Sequence, residues 1–123
     1  MLRGSVIGAH QAVVAVGVIG ARGRRAVINA VIDTGFNGRL TLPQELAERL
    51  ELRLVGEGDF TLADGSRAEL RRYRAVLEWV HGPVVAIIVA THGPPLLGMR
   101  LLRDCDLTMP VVEGGEVTIA PVA

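Results

Sequence analysis

Short apolar runs, each ended by a turn, are the feature that most constrains what this chain can fold into. Examples are Ala12 to Ile19, Ala26 to Ile32 and Val84 to Ala90. Ala12 to Ile19 is apolar on both faces, as expected of a strand covered on both sides. The chain has 15 Gly and 6 Pro, which suit a fold with many turns. The pattern predicts a β domain, a small barrel-like or sandwich fold, with roughly seven or eight short strands.

Two hairpins are predicted from their turn residues. Asp64-Gly65 is a strong hairpin turn pair, centred in a pattern that runs from Asp59 to Trp79. A second hairpin, Val111 to Ile119, turns at Gly114-Gly115. Side chains alternate along the return strand of the first hairpin, which predicts an apolar face made of Tyr73, Ala75, Leu77 and Trp79.

At most two helices are expected. Thr41 and Gln44 have the spacing of a capping box, and a helix of about ten residues is predicted after them. Its apolar face consists of Leu46, Ala47 and Leu50. A second, short helix is predicted near Met99 to Asp104.

Composition limits the class of protein. The 123 residues fit a single domain, 1–123, and with one Trp, one Tyr and two Phe the core must be aliphatic. Thirteen basic and thirteen acidic residues give a formal net charge of zero, which argues against nucleic acid or an anionic membrane as the main partner. No apolar run is long enough to span a bilayer, and we expect a cytoplasmic protein. His10, His81, His92 and Cys105 lack metal-ligand spacing, so neither a metal nor another cofactor is expected.

Asp33 stands at the end of an apolar run, directly before Thr34 and Gly35. One explanation is a structural turn, because Asp and Gly are both favoured in turns. The preceding residues, Val27 to Ile32, are expected to be buried, however. Their burial would place the Asp33 carboxylate at the floor of a cavity.

Asp33-Thr34-Gly35 resembles the active-site signature of the retropepsin-like aspartic peptidases (clan AA). Pro95 to Leu102, PLLGMRLL, is similar to the second element of that family: two apolar residues, a Gly and a short helix. Leu62 to Leu70, LADGSRAEL, is placed like the family's flap hairpin. Order and spacing agree from Val13 to Ile119, and the small bacterial and archaeal members with DTGFNG and LLGM are the most similar.

The resemblance implies a small closed barrel-like acid-protease fold, all-β with one or two short helices, in which Asp33 is catalytic. Peptide hydrolysis by this route uses two carboxylates that share one proton and hold a water between them. This chain has one D-T-G, so the resemblance implies a homodimer in which two copies of Asp33 face each other. Its substrate would be a peptide or protein.

The resemblance also implies roles for other residues. Thr34 and Gly35 would support the catalytic loop. The terminal strands, Leu2 to Ile7 and Glu116 to Ala120, would interleave at the dimer interface. Leu96, Leu97 and Gly98 would pack alongside the catalytic loop. Residues that would contact substrate are Phe36, Asn37, Gly38, Ala63, Asp64 and Gly65.

Departures from the retroviral members leave an alternative open. Phe36 is bulky where a small residue is usual, and Asn37 and Gly38 replace two acidic residues that often grip the substrate backbone. The alternative is a non-catalytic, dimeric retropepsin-like module for binding or assembly, which keeps the D-T-G loop as a structural turn. Peptide cleavage that disappears in Asp33→Asn would favour the peptidase.

Overall fold

The computed structural model describes residues 1–62 and 64–123, which form ten strands and two short α-helices. The helices are α1, Gln44–Arg49, and α2, Met99–Leu102. No helix within the described residues is both long and apolar enough to cross a membrane. The strands are β1 Leu2–Ile7, β2 Gln11–Ile19, β3 Arg25–Ile32, β4 Thr41–Pro43, β5 Arg53–Thr61, β6 Arg67–Trp79, β7 Gly82–Thr91, β8 Leu96–Leu97, β9 Cys105–Thr108 and β10 Glu116–Pro121.

All ten strands belong to one sheet, and their main order is β4-β7-β6-β2-β1-β10-β9. β3 pairs with β2 and β8, and β5 pairs with β6. Two pairings are parallel, β3 with β8 and β4 with β7. The predicted all-β architecture with two short helices is confirmed, but the ladders of the described residues do not close into a barrel. β4 and β8 have only three and two residues. A single antiparallel bridge pairs Leu40, the residue before β4, with Leu97 of β8.

The core is aliphatic apart from Tyr73 and Trp79, as the composition predicts. Alternation along β6 buries Tyr73, Ala75, Leu77 and Trp79 on one face, which confirms that prediction. β2 is different from the prediction, because its buried side chains are on one face. Val14, Val16 and Val18 are fully buried, whereas Ala15 is exposed and Val13 is half-buried.

The helices are shorter than predicted. α1 has six residues rather than about ten, and its N-cap is Pro43, with no capping hydrogen bond from a side chain. The predicted capping box is wrong because Thr41 belongs to β4, where its buried hydroxyl oxygen accepts a hydrogen bond from the Leu96 amide. The predicted apolar face of α1 is confirmed, because Leu46, Ala47 and Leu50 are all buried. α2 ends at Leu102, since Arg103 has a φ of −52° and a ψ of 135°, outside the helical region.

The C-terminal hairpin also departs from the prediction. It consists of β9 and β10, and Val111 and Val112 lie in the connection between them, 66% and 58% exposed. β1 pairs with β10 on one side and β2 on the other, while β10 pairs with β1 and β9. Both terminal strands therefore have partners on each side within the chain. The expected interleaving with a second copy does not fit this pairing, and β9 is the strand at this end of the sheet.

Candidate active site

The backbone of Asp33 is fixed by the short strand β8. Val31 and Ile32 of β3 pair in parallel with Leu96 and Leu97, and the Asp33 amide donates to the Leu97 carbonyl at 2.9 Å. Parallel strands must be joined by a crossover connection of at least about a dozen residues, and here the partner strand lies more than sixty residues later in the sequence. The end of β3 is thereby held where the apolar run stops.

The Asp33 side chain is part of a tight turn. Its Oδ1 atom accepts a hydrogen bond from the Gly35 amide at 2.9 Å, and the Phe36 amide donates to the Asp33 carbonyl at 3.1 Å. A Cβ atom at position 35 would lie 3.3 Å from Asp33 Oδ1, so Gly keeps this turn uncrowded. The neighbouring Thr34 is exposed. The turn thus orients one carboxylate oxygen through the backbone.

Asp33 lines a cavity of about 390 Å³. Among the described residues that line this cavity, Asp33 supplies the only carboxylate. Thr41 and Leu96 contribute from β4 and β8, and Val89 and Thr91 from β7. The carboxylate lies beside a cavity, as expected, but the expected burial of Val27 to Ile32 is wrong in part. Ile28 and Ala30 are buried, whereas Val27 and Asn29 on the other face of β3 are exposed.

The loop after Asp33 is tied to the start of α2 by three backbone hydrogen bonds. The Gly98 amide donates to the Arg39 carbonyl at 2.9 Å, Met99 to Phe36 at 2.8 Å and Arg100 to Gly38 at 3.2 Å. The structure therefore brings Leu96, Leu97 and Gly98 against the D-T-G loop. Together with the Asp33–Leu97 bond, these contacts make the two segments one unit.

Phe36 is accommodated by two glycines. A Cβ atom at Gly98 would lie 2.6 Å from the Phe36 ring, and one at Gly38 would also meet that ring. The absence of side chains at both positions leaves room for the ring, which is half-buried and lines the cavity. The bulky residue that departs from the retroviral pattern is thus packed against the loop itself.

The β5–β6 hairpin occupies the place of the predicted flap, and its tip is ordered by Asp64 and Ser66. Asp64 Oδ1 accepts hydrogen bonds from the Ser66 amide at 2.9 Å and the Ser66 hydroxyl at 2.5 Å. These bonds hold the pKa of Asp64 below its ordinary value of 3.8. Gly65 has a φ of +85°, as a turn of this kind requires. Ala63, which was also expected to contact substrate, lies outside the described residues.

The hairpin contributes different residues to the cavity from those predicted. Asp64 and Gly65 are exposed at the tip, and the lining comes from residues farther down the two strands and at the end of β5. The hairpin residues that line the cavity are Phe60, Thr61, Leu62 and Leu70. These positions were not predicted from the sequence, although apolar residues beside a polar turn indicate a side chain that packs or binds.

The pKa of Asp64 predicts a pH-dependent hairpin tip. A depressed pKa means that the ionised carboxylate stabilises the tip above pH 3.8, and this contribution is lost as the pH falls through the lower, folded-state value. NMR hydrogen exchange should show the protection factor of the Ser66 amide falling below that pH. Asp64→Asn, which keeps an acceptor oxygen but does not titrate, should remove this pH dependence. The same pH dependence in the Asn variant would contradict the assignment.

Thr41 links the cavity to the stability of the fold. It is 6% exposed, and its hydroxyl is the acceptor of the Leu96 amide at 2.8 Å. Thr41→Val keeps the shape but leaves that amide without an acceptor, so the free energy of unfolding should fall by about 1–3 kcal/mol. Denaturant unfolding at fixed protein concentration measures the loss. Thr41→Ser retains the acceptor and should lose less; an equal loss in both variants would contradict this role.

Metal and thiol chemistry find no support in the described part of the chain. No group of three or more His, Cys, Asp or Glu residues there is placed to hold a metal ion. Burial raises the pKa of the Cys105 thiol, which disfavours the thiolate that a nucleophilic cysteine needs.

Comparison with solved structures identifies the fold. The chain is similar to the crystal structure of a retropepsin-like aspartic protease from Rickettsia conorii, with a TM-score of 0.54 and 13% sequence identity. The similarity covers 98% of this chain and 91% of that chain. No protein-family model matches the sequence, and no curated protein matches it. The predicted retropepsin-like fold is confirmed by this structural likeness.

Proposed function

We propose that the protein is a homodimeric aspartic endopeptidase in which Asp33 of each copy contributes one carboxylate to a shared catalytic site. The observation that carries the proposal is the position of Asp33. It stands in a D-T-G turn on a retropepsin-like fold, beside a cavity that the β5–β6 hairpin also lines. Its amide and one of its carboxylate oxygens are both fixed by backbone hydrogen bonds.

The need for a second copy follows from the chemistry. Hydrolysis by this route requires one group to accept a proton and another to donate one. The described lining of the cavity contains a single carboxylate. A two-fold axis beside Asp33 would supply the second, and each copy would present the same turn to its mate. Two carboxylates a few ångströms apart do not both ionise, so the pair shares one proton.

The reaction then proceeds through a tetrahedral intermediate. The ionised Asp33 takes a proton from the water as the water oxygen attacks the peptide carbonyl carbon. The protonated Asp33 gives its proton to the carbonyl oxygen. The intermediate collapses when the C–N bond breaks. The leaving amine takes the proton that the first Asp33 accepted from the water, and a hydroxyl group of the intermediate returns a proton to the second Asp33 as the carbonyl reforms. The Gly35 amide, bonded to Asp33 Oδ1, keeps the carboxylate oriented through these steps.

An extended peptide is the substrate that suits the cavity. Apolar walls from Phe60, Leu62, Leu70 and Val89 provide contacts for apolar side chains. Strand edges and hairpins bind extended peptides through main-chain hydrogen bonds, and pockets select alternate side chains. The hairpin would cover the bound peptide and exclude water from the reacting bond.

Cleavage of a peptide library tests the proposal. Incubation at mildly acid and neutral pH, with products identified by mass spectrometry, should yield defined internal cleavages. A transition-state mimic of the statine type should raise the melting temperature, because it binds the folded dimer. An intact dimer that cleaves nothing and ignores the mimic would favour the non-catalytic binding or assembly module.

A further inference from the structure

Three arginines line a second cavity that adjoins the one beside Asp33. The cavity has a volume of about 600 Å³ and includes Arg39, Arg72 and Arg100 in its lining. The two cavities share five lining residues, which are Gly35, Phe36, Phe60, Thr61 and Val89. No Asp or Glu is found among the described residues that line the second cavity. Its ionisable lining is therefore wholly cationic.

Backbone contacts of the D-T-G loop place two of these arginines. The Arg39 carbonyl accepts the Gly98 amide at 2.9 Å, and the Arg100 amide donates to Gly38 at 3.2 Å. The bonds that hold the loop beside Asp33 thus also fix the backbone at Arg39 and Arg100. Their side chains extend from these fixed backbone positions to the lining of the second cavity.

Arg72 reaches the same cavity from β6. Its backbone lies between Gly56 of β5 and Val89 of β7. A Cβ atom at Gly56 would be 3.7 Å from Arg72 Nη2, and one at Gly58 would be 3.8 Å from Nε. The Arg72 guanidinium therefore lies over two positions that carry no side chain. The ring of Phe60, which also lines the cavity, is 3.4 Å from the same point above Gly58.

Among the described residues these arginines have no carboxylate partner, unlike several other arginines. Arg71, the neighbour of Arg72, pairs with Glu57 at 3.5 Å, and Arg103, near Arg100, pairs with Asp104 at 3.8 Å. Within residues 1–62 and 64–123, no carboxylate oxygen lies within 4.0 Å of the Arg39, Arg72 or Arg100 guanidinium groups. Like charges around one cavity repel each other, and an anion in the cavity would relieve that repulsion.

We infer that this cavity is a substrate subsite that binds the side-chain carboxylate of an Asp or Glu residue. The inference rests on the proposed peptidase function. Arginine's planar fork matches a carboxylate in bidentate fashion, and several forks around one cavity favour an anion over a neutral amide. Side chains of an extended peptide alternate in direction, so adjoining cavities on one side take residues two apart. The acidic residue therefore lies near the scissile bond rather than at it.

Peptide binding to the Asp33→Asn protein tests the subsite without requiring turnover. The probes are peptides capped at both ends, in which one Glu moves through an otherwise uncharged sequence, each matched to a Gln peptide. At one position the Glu peptide should bind about tenfold more tightly than its Gln partner. A third set, with the only carboxylate at a free C-terminus, separates side-chain from terminal recognition. Isothermal titration calorimetry measures the affinities.

Charge-removing variants identify the groups responsible. Arg72→Gln combined with Arg100→Gln should reduce the Glu preference to within about twofold. Arg74→Gln, two residues along the same strand, and Arg103→Gln, just after α2, should leave it unchanged. Both control side chains are exposed and neither lines the cavity.

Separate outcomes bear on the subsite and on the peptidase. Equal affinity for Glu and Gln peptides at every position, preference only for a terminal carboxylate, or absence of peptide binding would overturn the inference. A Glu preference that depends on Arg72 and Arg100 supports it, whether or not the wild-type protein cleaves these peptides. If that preference exists and the wild type cleaves none of them, the proposed peptidase fails while the anionic subsite stands.

Discussion

Asp33→Asn should lower kcat/KM for peptide cleavage by at least about a thousandfold, since removing one member of a catalytic unit removes most of its effect. The substitution keeps the size of the side chain and an oxygen that can accept the Gly35 amide. It removes the carboxylate that exchanges protons with the water and the substrate. The measurement is the rate of product formation from a peptide that the wild type cleaves.

Asp106→Asn is the matched control for this change. Asp106 is exposed on β9, and the substitution alters the same functional group outside the cavity. Both variants should keep the wild-type circular dichroism spectrum and dimer, and Asp106→Asn should keep its activity. Cleavage by Asp33→Asn within tenfold of the wild-type rate, at equal folding, would contradict a catalytic role for Asp33.

Gly98→Ala should both destabilise the protein and abolish cleavage. A Cβ atom there would lie 2.7 Å from the Phe36 carbonyl oxygen and 2.6 Å from its ring, and closer still to the Gly38 carbonyl oxygen. Two of these contacts are with backbone, which cannot move aside without disturbing the loop that holds Asp33. Overpacking of this kind costs about 1–3 kcal/mol of unfolding free energy. Denaturant midpoints and cleavage rates measure the two effects.

Gly93→Ala provides the comparison at a site without such crowding. A Cβ atom at Gly93 would meet nothing within 4 Å, and this glycine does not have a positive φ. Its stability and activity should stay near those of the wild type. If Gly98→Ala unfolded at the wild-type midpoint and cleaved at the wild-type rate, the close packing of α2 against the D-T-G loop would not matter to the site.

Local patterns were enough to predict much of the fold. Alternating burial on β6 follows from side-chain direction alone, and the turn at Asp64-Gly65 follows from residues that tolerate it. The D-T-G turn could also be predicted from neighbouring residues, because the apolar run ends at Asp33 and because Asp and Gly are favoured in turns. The fold predicted from these local patterns agrees with the retropepsin-like structure, whose similarity covers 98% of the chain.

Long-range contacts explain what could not be predicted. Thr41 looked like a helix cap, but its hydroxyl accepts from Leu96, 55 residues away along the chain. The pairing of β1 with β10 joins the two ends of the sequence, and neighbouring residues do not reveal it. The cationic cavity is likewise assembled from Arg39, Arg72 and Arg100. Residues so far apart are brought together only by the completed sheet.

Subunit mixing tests most directly whether two copies of Asp33 form one site. Wild-type and Asp33→Asn chains are exchanged at constant total concentration, with native mass spectrometry confirming the mixed dimers. If both carboxylates are required, activity falls as the square of the wild-type fraction, and an equal mixture retains about one quarter. A linear fall, to about one half in that mixture, would show that each chain acts alone and would contradict the shared site.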